Sequence, residues 1–208
     1  MPANNYLKEI EKIIEEGNNK FVEILDTANK DEKILLEFFR EKYTHFILYK
    51  LFKNNGWNVD FEKKTEVKLL RTGKNPRSGN HDLMIFDKKG NRIAGLELFL
   101  GYDVGKEKQL TYRQFRDHII EDYEKLINSN LKAAYIINYF YKGITKRASI
   151  AYTEKKEKSY QNHLMNCVIE CEKLVKKHKE SNLKVKLGVW VVEARDDVLH
   201  SKGIKKIC

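Results

Sequence analysis

Two carboxylates set inside an apolar strand pair constrain this chain more than any other feature in it. Residues Gly79 to Gly101 read Gly-Asn-His-Asp-Leu-Met-Ile-Phe-Asp-Lys-Lys-Gly-Asn-Arg-Ile-Ala-Gly-Leu-Glu-Leu-Phe-Leu-Gly. Apolar runs on either side of Asp-Lys-Lys-Gly-Asn predict a hairpin. One strand covers His81 to Phe86, the turn 87–91, and the return strand Ile93 to Leu100. Asp82 opens the first strand and Glu97 lies inside the second, where packing alone would place neither. Strands this apolar are expected to be covered on both faces. There an unpaired carboxylate costs several kcal/mol or takes up a proton. Two converging carboxylates become tolerable when a divalent cation holds them.

The length of 208 residues predicts one domain, and 41% apolar with 11% aromatic residues suffices for a core. Two prolines and no low-complexity tract argue against long linkers. A formal charge of +10 favours a polyanionic partner, nucleic acid or an acidic membrane surface. Lysine-rich surfaces also serve for solvation alone. No apolar run reaches the ~20 residues that cross a bilayer. Met-Pro-Ala-Asn-Asn-Tyr-Leu-Lys-Glu lacks the apolar centre of a signal peptide. Three cysteines do not make a disulfide framework. The expectation is a reduced, cytoplasmic protein away from the membrane.

Along the chain, Ile10, Ile13, Ile14, Phe21, Ile24 and Leu25 predict a helix over 5–28, broken or bent at Gly17-Asn18-Asn19. A second helix over 31–54 opens with Asn29 and Glu32 as a capping box and ends at Asn54-Asn55-Gly56. Trp57 to Phe61 alternates like a strand that resumes over Val67 to Leu70. Arg71 to Arg77 is a basic loop feeding the hairpin. A helix over 108–128, a strand over 133–140, a helix over 159–179, a strand over 183–192 and a frayed basic tail from Ser201 follow. The fold class is α/β, a mixed central sheet flanked by helices. Residues 1–28 are an N-terminal helical addition, 31–140 the core, and 141–208 a C-terminal helix, strand and tail.

The order helix-strand-strand-strand-helix-strand, with Asp82 and Glu97 fifteen residues apart on successive strands, resembles the PD-(D/E)xK nuclease superfamily. The resemblance covers residues 31–140 and implies a restriction-endonuclease-like core. It also implies Mg²⁺ or Mn²⁺ held by Asp82, Glu97 and the Leu98 carbonyl, with a helix acid assisting. Glu37 and Glu41 lie one turn apart, and Glu41, nearer Gly56, is the candidate. The family's lysine two residues past the second acid is Phe99 here. A cation must therefore come from elsewhere, Lys68 beside the hairpin or Lys106 and Lys108 near the next helix, or catalysis is lost. Some cap-snatching endonucleases of segmented RNA viruses, a branch of the superfamily, place the lysine on that following helix and add a histidine from the first core helix to the metal site, a part open to His45.

Other strings carry less. Glu66-Val67-Lys68 is also an ExK string, but Asp60, the only acid shortly before it on a predicted strand, leaves no room for a turn between two strands. His163, Cys167 and Cys171 form one helical stripe that core packing explains. Gly101-Tyr-Asp-Val-Gly105 matches no phosphate cradle. The sequence thus predicts a metal-dependent endonuclease acting on DNA before RNA, with Arg71, Lys74 and Arg77 on the phosphate backbone. A nuclease-fold module that binds nucleic acid or a protein without cutting is the alternative, and a peripheral membrane or scaffold protein rests on charge alone. A homodimer is compatible with either.

Overall fold

The computed structural model describes residues 3–27, 30–67, 77–103, 112–142, 154–195 and 203–208, with side chains over 5–23, 42–61, 80–99, 112–140, 158–193 and 204–208. The elements in chain order are α1 (Ala3–Thr27), α2 (Lys30–Asn54), β1 (Asn58–Val67), β2 (Arg77–Phe86), β3 (Arg92–Asp103), α3 (Tyr112–Ile127), β4 (Ala133–Lys142), α4 (Glu154–Glu180), β5 (Lys186–Arg195) and β6 (Gly203–Lys206). The strands form one mixed sheet in sequence order, β1 to β6. β1, β2 and β3 pair antiparallel, β3, β4 and β5 parallel, and β6 returns antiparallel on β5.

Alternation along the strands divides the core into two layers. Leu83, Ile85, Leu96, Leu98 and Ile137 join Ile10, Ile14, Phe21, Leu48 and Phe52 from α1 and α2. Met84, Ile136, Phe140 and Val191 face Phe115, Ile119 and Leu126 of α3 and Cys167, Cys171 and Leu174 of α4. β4 and β5 contribute to both layers, so the segment after residue 141 supplies an interior strand of the sheet. Among the described residues no helix is long and apolar enough to cross a membrane.

Local signals explain most boundaries. α2 ends where Gly56 takes a φ of +77°. There Trp57 N donates to Phe52 O at 2.9 Å and Gly56 N to Lys53 O at 3.0 Å, a Schellman closure. In the hairpin turn Asp87 Oδ1 accepts the Lys89 and Asn91 amides, both at 2.8 Å. The Cys167–Cys171 stripe is buried core, and His163 Nδ1 lies 2.9 Å from the Ser159 carbonyl one turn back.

Four expectations need correction. α1 runs unbroken through Gly17-Asn18-Asn19, because those residues make a contact instead of a turn. A Cβ on Gly17 would come within 2.4 Å of Leu48 Cδ2, and buried Asn18 Oδ1 accepts the Tyr139 hydroxyl at 2.7 Å. β1 is one continuous strand, with Asp60 and Glu66 both on it. Arg77 begins β2, opposite Val67, and is not part of a loop. The basic tail is not frayed: β6 pairs with β5, and Lys206 Nζ reaches Glu11 and Glu15 at 3.1 and 3.0 Å while lying 5.2 Å from the Trp190 ring centroid. The capping box at Asn29 and the loop 71–76 lie outside the described residues.

Candidate functional site

The site forms where β2 and β3 part. Their pairing runs from Phe86↔Arg92 to Leu83↔Leu96 and goes no further. Beyond Leu83, β2 stays with β1 as far as Arg77 and β3 stays with β4 as far as Asp103. The fork opens at Asp82 and Glu97. Leu98 N, turned towards β2 without a carbonyl to meet, donates instead to Asp82 Oδ2 at 2.7 Å. This mid-strand acid thus replaces a ladder bond and is fixed by it. His45 of α2, itself buried, brings Nε2 to 3.7 Å from the same oxygen.

Glu97 is 2% exposed and both of its oxygens are engaged. Lys125 Nζ, from the last turn of α3, lies 2.6 Å from Oε2, 3.0 Å from the Asn80 carbonyl and 3.4 Å from Asp122 Oδ1. His81 Nδ1 lies 2.6 Å from Oε1, and His81 Nε2 lies 2.8 Å from Ser129 Oγ. Ser129 Oγ donates to the Lys125 carbonyl at 2.6 Å, so it accepts from His81 Nε2–H. Burial, with the charges of Lys125 and Arg92, lowers the His81 pKa to about 3, so the ring is neutral. Burial raises Glu97 well above the carboxylate range, with Asp122 and Asp82 adding to the shift and Lys125 opposing it. A neutral ring that gives its Nε2–H to Ser129 keeps Nδ1 as an acceptor, and the upward shift of Glu97 favours a proton on the carboxyl at this short contact.

Asp122 adds a third carboxylate. Burial and the charge of Asp82 push it up to about 6 against the pull of Lys125 and His118. Burial also works against the Lys125 charge, but Glu97, Asp122 and Asp82 more than offset it and hold the ammonium above its ordinary range. Three carboxyl groups act on one persistent cation and form a set of oxygen donors. Mg²⁺ and Mn²⁺ favour that chemistry. Among the described residues no three His, Cys, Asp or Glu side chains converge on one point as they stand. The donor set fits by charge and atom type, while Glu97 is turned to its protein partners.

No family model, curated protein or solved structure matches this chain.

Of the residues singled out in the sequence, Asp82, Glu97 and His45 are brought together, and Leu98 joins through its amide. Glu41 lies on α2, with its side chain outside those described. Lys68, Lys106, Lys108, Arg71 and Lys74 lie outside the described residues, as does the side chain of Arg77. The sequence reading missed Lys125, Asp122, His81 and Ser129. The parallel pairing of β3 with β4 offered the signal for two of them. A helix joining parallel strands must run back along the first, so its last turn ends near the start of β4. Gly95 admits that turn: a Cβ there would lie 2.8 Å from Leu126 Cδ2 and 2.9 Å from Leu131 Cδ1. Asp122 and Lys125, three residues apart, then face the fork.

Proposed function

We propose that the chain is a metal-dependent nuclease that hydrolyses phosphodiester bonds of DNA, as an endonuclease of PD-(D/E)xK type. The observation that carries this reading is the pairing of Glu97 and Asp122 with the Lys125 ammonium at the β2–β3 fork, within the field of Asp82. The antiparallel β1-β2-β3 unit, the crossover helix α3 and the parallel strand β4 support the restriction-endonuclease-like core. Lys125 replaces the lysine absent at Phe99, from the opposite end of the helix to that expected.

Asp82, Asp122 and Glu97 would hold Mg²⁺ or Mn²⁺. Bound there, the ion supplies a Lewis acid for the phosphate and lowers the pKa of a water. The chain's residues do the rest. Lys125 keeps its charge across the physiological range and stabilises the negative charge that builds on the phosphoryl oxygens. The Leu98 amide holds Asp82 in orientation, with His45 Nε2 3.7 Å from the same oxygen. Glu97 would serve as an oxygen donor in its ionised form, and His81, anchored by Ser129, fixes where its carboxyl group stands.

The test is cleavage of labelled DNA with Mg²⁺, Mn²⁺ or chelator. Cutting should require the ion. It should fall at least ~100-fold in Glu97→Gln and Lys125→Met, with both variants folded by circular dichroism. A folded Glu97→Gln protein that cuts at the wild-type rate would remove this site from the reaction. One observation favours a second reading, a module that binds without cutting: both Glu97 oxygens are already satisfied by His81 and Lys125. That reading predicts the same melting temperature with Mn²⁺ as with chelator, since only a site in the folded state is stabilised by its ligand.

A further inference from the structure

Beside the fork, α2 and β1 expose rings that the core does not use. Phe46 follows His45 and is 53% exposed, and Phe61, whose partner on β2 is Leu83, is 40% exposed. Tyr49, one turn beyond His45 and itself packed against the core, stacks on Phe61 with centroids 4.4 Å apart and planes 22° apart. Helical spacing sets Lys42, Lys50 and Lys53 on the same side of α2 as Phe46, and all three are exposed. Lys53 Nζ lies 5.5 Å from the Tyr49 ring centroid and 3.4 Å from Asn58 Oδ1. Flat rings alternating with ammonium groups complement a strand whose bases are unpaired. Phosphates meet the lysines while base faces lie on the rings, whereas a duplex keeps its base faces stacked inside. The ledge adjoins Asp82 on two sides: His45, 3.7 Å from Asp82, precedes Phe46 in the chain, and Leu83, which follows Asp82, is the cross-strand partner of Phe61.

We infer that Phe46 and the Tyr49–Phe61 stack bind unpaired bases of a DNA strand and lead that strand to the fork, so that the substrate is single-stranded or carries a single-stranded segment. This rests on the nuclease reading for the place of the reaction, but strand binding itself is measured without cleavage.

The experiment is equilibrium binding in chelator at fixed salt, with a 15-nucleotide single strand carrying 2-aminopurine, the matching blunt duplex, and the same strand as RNA. The single strand should bind at least ~10-fold tighter than the duplex and quench 2-aminopurine on binding. Phe46→Ala and Phe61→Ala should each weaken single-strand binding roughly 5- to 150-fold, the range for one lost base stack. Neither should change the dependence on salt. Lys50→Ala with Lys53→Ala should flatten that dependence by about 1.4 in the log–log slope, two phosphates' worth on a single strand. Phe46→Trp should keep wild-type affinity, and Phe46 is exposed enough that neither change disturbs the core. Equal affinity for strand and duplex, or alanine variants that bind as the wild type does, would overturn the ledge. A ~10-fold preference for RNA would overturn its assignment to DNA. If duplex is cut with Mn²⁺ while the ledge variants bind normally, the ledge fails and the nuclease reading stands. If nothing is cut and the ring substitutions still cost binding, the ledge stands and the nuclease reading fails.

Discussion

At the scale of single residues, the fork is a place where charge is held against its preference, and stability should record it. Asp122 has a folded-state pKa of about 6 against an ordinary carboxyl value near 4. A carboxyl raised in this way leaves the folded state unpenalised below pH ~4, where it is protonated folded or unfolded. Stability then falls as pH rises from ~4 to ~6, and the full cost persists above. Asp122→Asn removes it. In chelator the variant should be more stable than wild type by about 1–3 kcal/mol at pH 7.5, allowing for its partial exposure, and the gap should close by pH 4. Denaturant melts at both pH values check this, and a variant less stable at pH 7.5 would mean that the Lys125 contact outweighs the repulsion. His81 titrates in the opposite sense, because its lowered pKa removes stability as pH falls from ~6.5 to ~3, but it does so in both proteins and cancels from the comparison. Asp82 and Glu97 were legible in the sequence because a carboxylate breaks an apolar alternation visibly. His81 was not, since only the parting of two strands turns it onto Glu97.

Elements place what residues cannot. The hairpin, the Gly56 stop and the amphipathic helices followed from local patterns, because turn geometry and burial are written into neighbouring residues. Lys125 did not, because its position depends on where a returning helix ends relative to a strand formed earlier. β6 did not either, because Gly-Ile-Lys-Lys looks solvated until an unpaired edge of β5 and the acids of α1 are placed beside it. The approach of α3 to the sheet is itself testable. Gly95→Ala would force a methyl group against Leu126 and Leu131 and should cost about 1–3 kcal/mol. It should also lower any cleavage rate by moving Lys125 from Glu97. Unchanged stability would show that the end of α3 can yield without consequence.

For the whole molecule, the strands follow one another across the sheet in the order of the chain, so most pairing is between neighbours in sequence. α1 is the exception. It is synthesised ahead of every strand, yet it is tied to β4 by the Tyr139–Asn18 hydrogen bond and to β5 and β6 by Lys186 and Lys206 on Glu11. Contacts that bridge such long separations tend to form after the folding barrier is crossed. Tyr139→Phe should therefore cost about 1–3 kcal/mol by leaving Asn18 without its buried donor, expressed as faster unfolding with refolding nearly unchanged. Stopped-flow refolding slowed in proportion would instead place α1 in the nucleus. On the ribosome this topology has a consequence of its own. A nascent chain that has extruded α1 through α3 still carries Ile10, Ile13, Ile14 and Phe21 without the strands that finish their cover, and those four side chains are what a holdase waiting at the exit tunnel would grip.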